Sequence, residues 1–178
     1  MSYRYIGNTT RLLPILLDSI NDVVKSGATV ADIMCGTASV SEALRGAEYR
    51  VIASDMMTFA AHHARVRLLL SDEPNFFGIG LGGYTNVLTY LNELKLKQGV
   101  FFKEYSQDGS PSNGSEPRKY FSVENAGRID AITAQLNQWQ KEEKLSEIES
   151  SLLRHDLVLA SNRVANIAGT YGHYRSKW

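Results

Sequence analysis

The chain has 178 residues, 43% of them hydrophobic and 21% charged, and its 19 basic and 19 acidic side chains leave no net charge. That length suits one domain with a real core, while the zero balance argues against a surface that binds polyanions over its whole extent. The one cysteine, Cys35, excludes a disulfide framework and a thiolate metal site. No apolar run approaches the roughly 18–20 residues of a membrane span, and the N-terminus lacks a signal-peptide core, so a cytoplasmic protein is expected.

In chain order, the polar opening Arg4-Tyr5-Ile6-Gly7-Asn8-Thr9-Thr10 comes first. Leu12, Leu13, Ile15, Leu16, Ile20 and Val23 then recur at helical spacing, with Pro14 acceptable only in the first turn. Residues 28–34 read as a strand, 39–47 as a helix, 49–54 as a second strand and 57–70 as a helix. A glycine-rich loop over 72–83 and a helix over 86–97 follow. Composition changes near Gly99, and residues 106–117 (SQDGSPSNGSEP) meet every criterion for a flexible loop. Helices are expected over 124–140, 145–153 and 157–168. Two strands, or three, amount to half of a doubly wound sheet.

Chemistry concentrates in the first βαβ unit. An apolar run ends in Asp32, passes through the small-residue loop Cys35-Gly36-Thr37-Ala38 and opens into a helix. A second apolar run ends in Ser54-Asp55, nineteen positions after Gly36. Strand, tight loop, helix, strand, carboxylate is the layout of a nucleoside-cofactor site. Without bulky side chains the loop lets backbone N–H groups reach a ligand, and the helix N-terminus favours a carboxylate or phosphate. Asp55 can accept hydrogen bonds from both ribose hydroxyls. The loop is not G-x-G-x-x-G, which favours a nucleoside smaller than a dinucleotide.

These residues resemble the N6-adenine DNA methyltransferases of restriction–modification systems, of the D12-like class. The loop of that family, often DLFCGTGSVS, stands here as Asp32-Ile33-Met34-Cys35-Gly36-Thr37-Ala38-Ser39-Val40. The likeness extends to Arg4–Asn8, to Tyr120–Ala126 with Ile129–Ile132, and to Val164–Tyr171. It implies an α/β fold: an incomplete Rossmann-like sheet that binds S-adenosylmethionine (AdoMet), with a helical or hairpin DNA-recognition segment. It implies AdoMet contacts at Tyr5, Ile6, Gly7, Asn8, Thr9, Asp32, Met34, Cys35, Gly36, Thr37, Ala38, Ser39, Asp55 and Met56. Residues 1–98 would form the AdoMet half-domain, 99–156 the DNA-recognition segment, and 157–178 a helix and tail returning to the core or to a partner. Three positions depart from the family pattern. Ala38 replaces the second glycine, a change that is tolerable if φ is negative there, Met34 replaces an aromatic, and Thr9 stands where a lysine is common.

The family's chemistry uses a [DNS]-P-P-[YFW] loop, whose polar groups accept hydrogen bonds from the adenine amino group and whose aromatic stacks on the flipped base. The four prolines here, Pro14, Pro74, Pro111 and Pro117, include no adjacent pair. In relatives the motif follows the tract Val164–Tyr171. A catalytic residue is therefore expected on a second methyltransferase subunit, or in sequence beyond a truncation, and the former is favoured. The expected partners are double-stranded DNA and that subunit, with no metal and no membrane. Candidate DNA contacts are Lys103, Tyr105, Arg118, Lys119, Tyr120, Asn125, Arg128, Arg163 and Lys177, basic and aromatic side chains able to reach phosphates or a groove. A non-catalytic DNA- or AdoMet-binding regulatory subunit, or a methyltransferase for RNA or a small molecule, are the alternative readings. Cys35 reads as a packed loop residue. His62 and His63, adjacent on a helix, point about 100° apart and cannot clamp one metal.

Overall fold

The computed structural model describes residues 9–169 and 171–176. Contacts divide the chain into two compact units, Met1–Asp72 and Glu73–Trp178, whereas composition alone places a first boundary at residue 98. Helix Tyr84–Glu93 explains the difference, because it packs on a later helix of the second unit.

In the first unit a 3₁₀ turn, Thr10–Leu12, leads into α1 (Leu13–Asn21), with Pro14 in its first turn where the missing N–H costs nothing. Strand β1 (Thr29–Asp32) is followed by α2 (Ser39–Gly46), β2 (Arg50–Ala53) and α3 (Thr58–Leu69). The strands pair in parallel, in the register Thr29↔Arg50 to Asp32↔Ala53. A parallel pair needs a crossover, and α2 supplies it, packing on both strands and on α3. Both strands alternate exposed and half-buried residues, so one face of the sheet, including Ala31 and Ile52, is exposed. Tyr49, 5% exposed, ties β2 to the end of α1: its hydroxyl lies 2.7 Å from Asn21 Oδ1 and 3.0 Å from the Val24 carbonyl.

The second unit is helical: α4 (Tyr84–Glu93), α5 (Val100–Tyr105), α6 (Val123–Lys141) and α7 (Glu147–Val164), with α6 packed on the other three. Each long helix starts on a serine. Ser122 Oγ accepts from the Asn125 N–H, and Ser146 with Glu149 forms a reciprocal capping box. Two expectations are corrected here. The helices expected over 145–153 and 157–168 are one, because the polar residues between them find partners without breaking the backbone: Arg154 donates to Asn137 and Gln140, and Asp156 accepts from the Tyr84 hydroxyl at 2.6 Å. The hairpin option for the recognition segment also fails among the described residues. Val100–Tyr105 is helical, and the backbone pairing between the two arms of the loop is an isolated parallel bridge, Ser106↔Phe121, in place of an antiparallel ladder.

Asp130 is the physical reason for that helix. Buried on α6, its carboxylate accepts from the N–H groups of Gly99 (2.9 Å), Phe101 (2.9 Å) and Phe102 (2.8 Å), which have no acceptor within a helix starting there. A Cβ at residue 99 would lie 2.7 Å from that carboxyl group, so only glycine allows the approach. Phe101 and Tyr105, four residues apart, then share one face of α5.

Candidate cofactor site and nucleic-acid face

At the C-terminal end of β1 the chain must reverse into α2 within a few residues. Cys35 donates its N–H to the Ser54 carbonyl at 3.0 Å, extending the strand ladder, and the Ala38 N–H closes a turn on the Cys35 carbonyl at 2.7 Å. Gly36 has φ +53°, as the turn demands. Ala38 has φ +58°, so the negative φ under which alanine is tolerated without strain is not met. The tight reversal places the helix N-cap in the left-handed region, at a cost of about 1–2 kcal/mol for a residue with a Cβ. The methyl group is fully buried, packed with Cys35 and Ala64.

Asp55 closes the loop from the second strand. Its Oδ2 accepts from the Gly36 N–H at 2.8 Å and its Oδ1 from the Met57 N–H at 2.8 Å. These two backbone donors, Met57 first, hold its carboxyl below the usual aspartate range. The carboxylate has about four acceptor positions, so two remain for hydroxyl donors. Asp32 Oδ2 accepts from Ser41 Oγ at 2.6 Å, which ties the strand end to the first turn of α2. Burial pushes the Cys35 thiol up, and the charges of Asp32 and Asp55 add to the shift. A thiol held protonated is a poor nucleophile.

A cavity of about 630 Å³ opens over this loop, lined by Thr9, Asp32, Met34, Cys35, Gly36, Thr37, Ser39, Val40, Asp55, Met56 and Met57. Its size lies within the roughly 300–1,000 Å³ of small-molecule sites. Nine of the sequence candidates meet in its wall: Thr9, Asp32, Met34, Cys35, Gly36, Thr37, Ser39, Asp55 and Met56. Ala38 is behind the wall, and Tyr5, Ile6, Gly7 and Asn8 lie outside the described residues. Val40 and Met57 join unannounced. Met57 follows from Asp55, whose side chain turns back on its N–H, whereas Val40 had no signal beyond its place in the first helical turn. The N-cap Ala38 offers no side-chain acceptor to the first N–H groups of α2, so an anionic group in the cavity can serve as the cap. A neighbouring cavity of about 590 Å³ shares Cys35 and Asp55 and carries Arg45, Arg50 and Arg65.

Comparison with known proteins decides the family. Residues 5–178 match the model of the D12 class N6 adenine-specific DNA methyltransferases. The chain belongs to that class. It is 34% identical to the type II methyltransferase M.FokI of Planomicrobium okeanokoites over 98% of its own length and 27% of that protein's. It is 28% identical to the modification methylase StsI of Streptococcus sanguinis, across 98% of this chain and 26% of the relative. With the type II methyltransferase M.NlaIII of Neisseria lactamica it shares 27% identity, over 96% of this chain and 48% of the relative. The chain thus spans between a quarter and a half of these relatives. No solved structure matches it. D12 methyltransferases of type II restriction–modification systems use S-adenosylmethionine as methyl donor.

The nucleic-acid candidates of this D12 chain separate into exposed and engaged groups. Lys103, Lys119 and Arg163 are exposed. Arg128 is half-buried and donates to the Leu94 carbonyl at the end of α4. Asn125 stands in the first turn of α6, its N–H taken by Ser122. Arg118 pairs with Glu104 and lies over the Tyr105 ring, 5.1 Å from its centroid. Tyr120 donates its hydroxyl to the Tyr171 carbonyl at 2.8 Å. Lys177 lies outside the described residues. Among the described residues no group of three or more His, Cys, Asp or Glu side chains is placed to hold a metal ion, and no helix is long and apolar enough to cross a membrane.

Proposed function

We propose that this chain is the AdoMet-binding and DNA-recognising part of a site-specific DNA N6-adenine methyltransferase, and that a second polypeptide carries the D/N/S-P-P-Y loop. The observation that carries this reading is the double engagement of Asp55. By holding the Gly36 and Met57 N–H groups it locks the loop, and it does so as a side chain of the cavity wall. A small-residue loop, an uncapped helix start and an ionised carboxylate fit the amino-acid and ribose ends of AdoMet. The α2 N-terminus would receive the methionine carboxylate, Asp55 the ribose hydroxyls, and Met34 and Met56 would cover the apolar parts. When bound, AdoMet supplies an electrophilic sulfonium methyl group. The chain's own contribution is to position that group with a preset pocket, with no covalent enzyme intermediate.

Support for a second polypeptide comes from the first unit's surface. Ile33 (71% exposed) and Ile52 (60%) stand on and beside the strands, outside the cofactor cavity, and both strands have one uncovered face. Covering each such side chain contributes about 1.5–3 kcal/mol, enough to drive association with a chain that completes a Rossmann-like sheet. In the second unit, Lys103, Lys119 and Arg163 would meet phosphates, joined by Lys177 from the tail. Asn125 and Arg128 would shape the helices that present them.

Calorimetric titration with AdoMet tests the cofactor assignment. Binding by the wild type and its loss in Asp55→Ala are expected, and equal heats for the two would overturn it. A DNA methylation assay with and without a chain bearing the Pro-Pro loop tests the division of labour. Full activity of the 178-residue chain alone would end that reading. A regulatory subunit, binding AdoMet or DNA without supporting methyl transfer, would give heat in the first experiment and no activity in the second under either condition.

A further inference from the structure

The free side of β2 borders a groove that the methyl-transfer reading leaves unused. Arg50 and Ser54 donate their N–H groups to the Ala28 and Asp32 carbonyls, both at 2.9 Å, so alternate residues of this segment bond toward β1. The N–H and C=O groups of Val51 and Ala53 fall between them and are directed to the opposite side. On that side β2 has no neighbouring strand among the described residues. A strand edge in this state is a template for one more extended segment.

The groove has a volume of about 590 Å³ and is lined mainly from β2 and α3. Val51 and Ala53 of the strand and Ala61, Ala64 and Leu68 of the helix make its apolar part. Ala53 and Leu68 pack on the small cluster of Cys35, Ala38 and Ala64, which fixes that floor. Three guanidinium groups join it: Arg45 from the last turn of α2, Arg50 at the start of β2 and Arg65 from α3. Arg45 donates to the Arg67 carbonyl at 3.2 Å, a neutral acceptor. Among the described residues neither Arg45 nor Arg50, both exposed, is paired with a carboxylate. The acidic residue of the lining, Asp55, is already engaged by the Gly36 and Met57 N–H groups.

These features together select an occupant. A small anion would meet the arginines and leave the strand edge and the apolar floor bare. A wholly apolar strand would cover the floor and partly desolvate cations that it cannot pair, which is costly. An extended segment with acidic residues meets all three conditions. Its backbone continues the ladder, every second side chain can lie on the floor, and carboxylates accept from guanidinium groups in bidentate, charge-assisted pairs.

We propose that the free edge of β2 receives an extended segment of the second polypeptide, apolar along one face and acidic where it passes Arg45, Arg50 and Arg65. The inference rests on the proposed second polypeptide and names its point of attachment and the charge it carries there. The test uses fluorescence anisotropy of the full 178-residue chain with three labelled peptides of one length that alternate valine and threonine. The first has glutamate at both ends, so that either strand direction brings a carboxylate to the arginines. The second has lysine at both ends, and the third is the glutamate peptide N-methylated on two successive central amides. The glutamate peptide should bind at least about tenfold tighter than the lysine peptide. Methylation should abolish its binding, because a methylated amide cannot donate to the strand edge. The double substitution Arg45→Glu with Arg50→Glu should reverse the preference while leaving the urea transition in place, since both side chains are exposed. Equal binding of the glutamate and lysine peptides, undiminished binding after methylation, or a preference unchanged in the double variant would each overturn the edge site. Displacement of the glutamate peptide by inorganic phosphate, but not by chloride at the same ionic strength, would assign the arginines to a small anion. Self-association of the chain that the double variant abolishes would assign the groove to a second copy. Either result overturns the inference. Methylation restored by a chain with the Pro-Pro loop, and unaffected by the double substitution, would keep the split-enzyme reading and remove this attachment point. No methylation with such a chain, while the wild type still prefers the glutamate peptide, would remove the division of labour and leave the acidic-strand site standing.

Discussion

The two units bury their apolar side chains very differently. In the first, much of the buried hydrophobic set is small, Cys35, Ala38, Ala60 and Ala64 beside Leu44 and Tyr49, while Leu12, Ile15, Val23, Ile33, Met34, Ile52, Met56, Met57 and Leu69 are exposed. In the second, Phe76, Phe121, Leu136, Trp139, Leu153 and Ile167 are buried. Helix α1 shows the contrast at its plainest: an apolar face predicted from spacing, and no buried residue along it. An amphipathic helix or strand in this state has its hydrophobic driving force still unspent. The second unit carries a core of its own, whereas the first is a tight loop on a scaffold that leaves large apolar side chains exposed.

The largest effects should come from substitutions that probe this contrast directly. Leu136→Ala in the second unit should cost about 2–5 kcal/mol, read as an earlier urea transition by tryptophan fluorescence. Ile52→Ala in the first should change the stability of the chain alone by less than about 1 kcal/mol, and should weaken capture of the proposed second polypeptide. A large loss of stability for Ile52→Ala would mean that its face is covered after all. Next in size, Asp130→Ala strips three N–H groups of their acceptor and should destabilise the second unit by about 2–4 kcal/mol. Hydrogen exchange should quicken over 99–105 while residues 29–53 keep their protection.

Acid should act on the units in opposite directions. Asp55 has a lowered folded value, so its contribution is complete above the ordinary aspartate value of about 3.9 and is lost as pH falls through the lower one. Asp156 is raised by burial, against the opposing effects of the Tyr84 hydroxyl and His155. Its contribution is complete below about 3.9 and is lost as pH rises through the raised value. Acidification from neutrality to pH 4 should therefore relieve a cost in the second unit and leave the Asp55 contribution in place. Below pH 4, protection over residues 29–57 should fail from loss of Asp55. Retention of that loop's protection at pH 2 would show that the Asp55 bonds contribute little. The smallest expected effect is Ala38→Gly, which relieves a left-handed Cβ but frees the unfolded chain. A gain of less than about 1 kcal/mol in thermal unfolding is expected, and a loss would show that packing of the methyl group outweighs its backbone strain.

Much of the geometry of the candidate cofactor site was legible because its determinants are local. Asp32, Cys35, Gly36 and Thr37 sit within six residues, and Asp55 is placed by a single parallel crossover whose strands are readable from apolar runs. Nine candidates consequently share one cavity wall. The φ of Ala38 was not legible, because the turn's reversal is a property of the backbone path and overrides the preference of the residue on it. The second unit was read less well. Phe101, Phe102 and Tyr105 suit a strand or a helix equally, and the decision belongs to Asp130, some thirty residues away, which caps the helix. Arg154-His155-Asp156 looked like a break between helices, yet partners on α6 and α4 satisfy Arg154 and Asp156 along one continuous helix.

By itself, then, the amino-acid sequence determined the βαβ order, the small-residue loop, the carboxylate after the second strand and the resemblance to D12 methyltransferases, since spacing along the chain carries all four. Tertiary structure alone decided which apolar faces are left uncovered, which arginines are spent on carbonyls and carboxylates, and that five aromatic side chains line one cavity. Those outcomes depend on groups brought together from distant positions, where burial and hydrogen-bond satisfaction outweigh local preference.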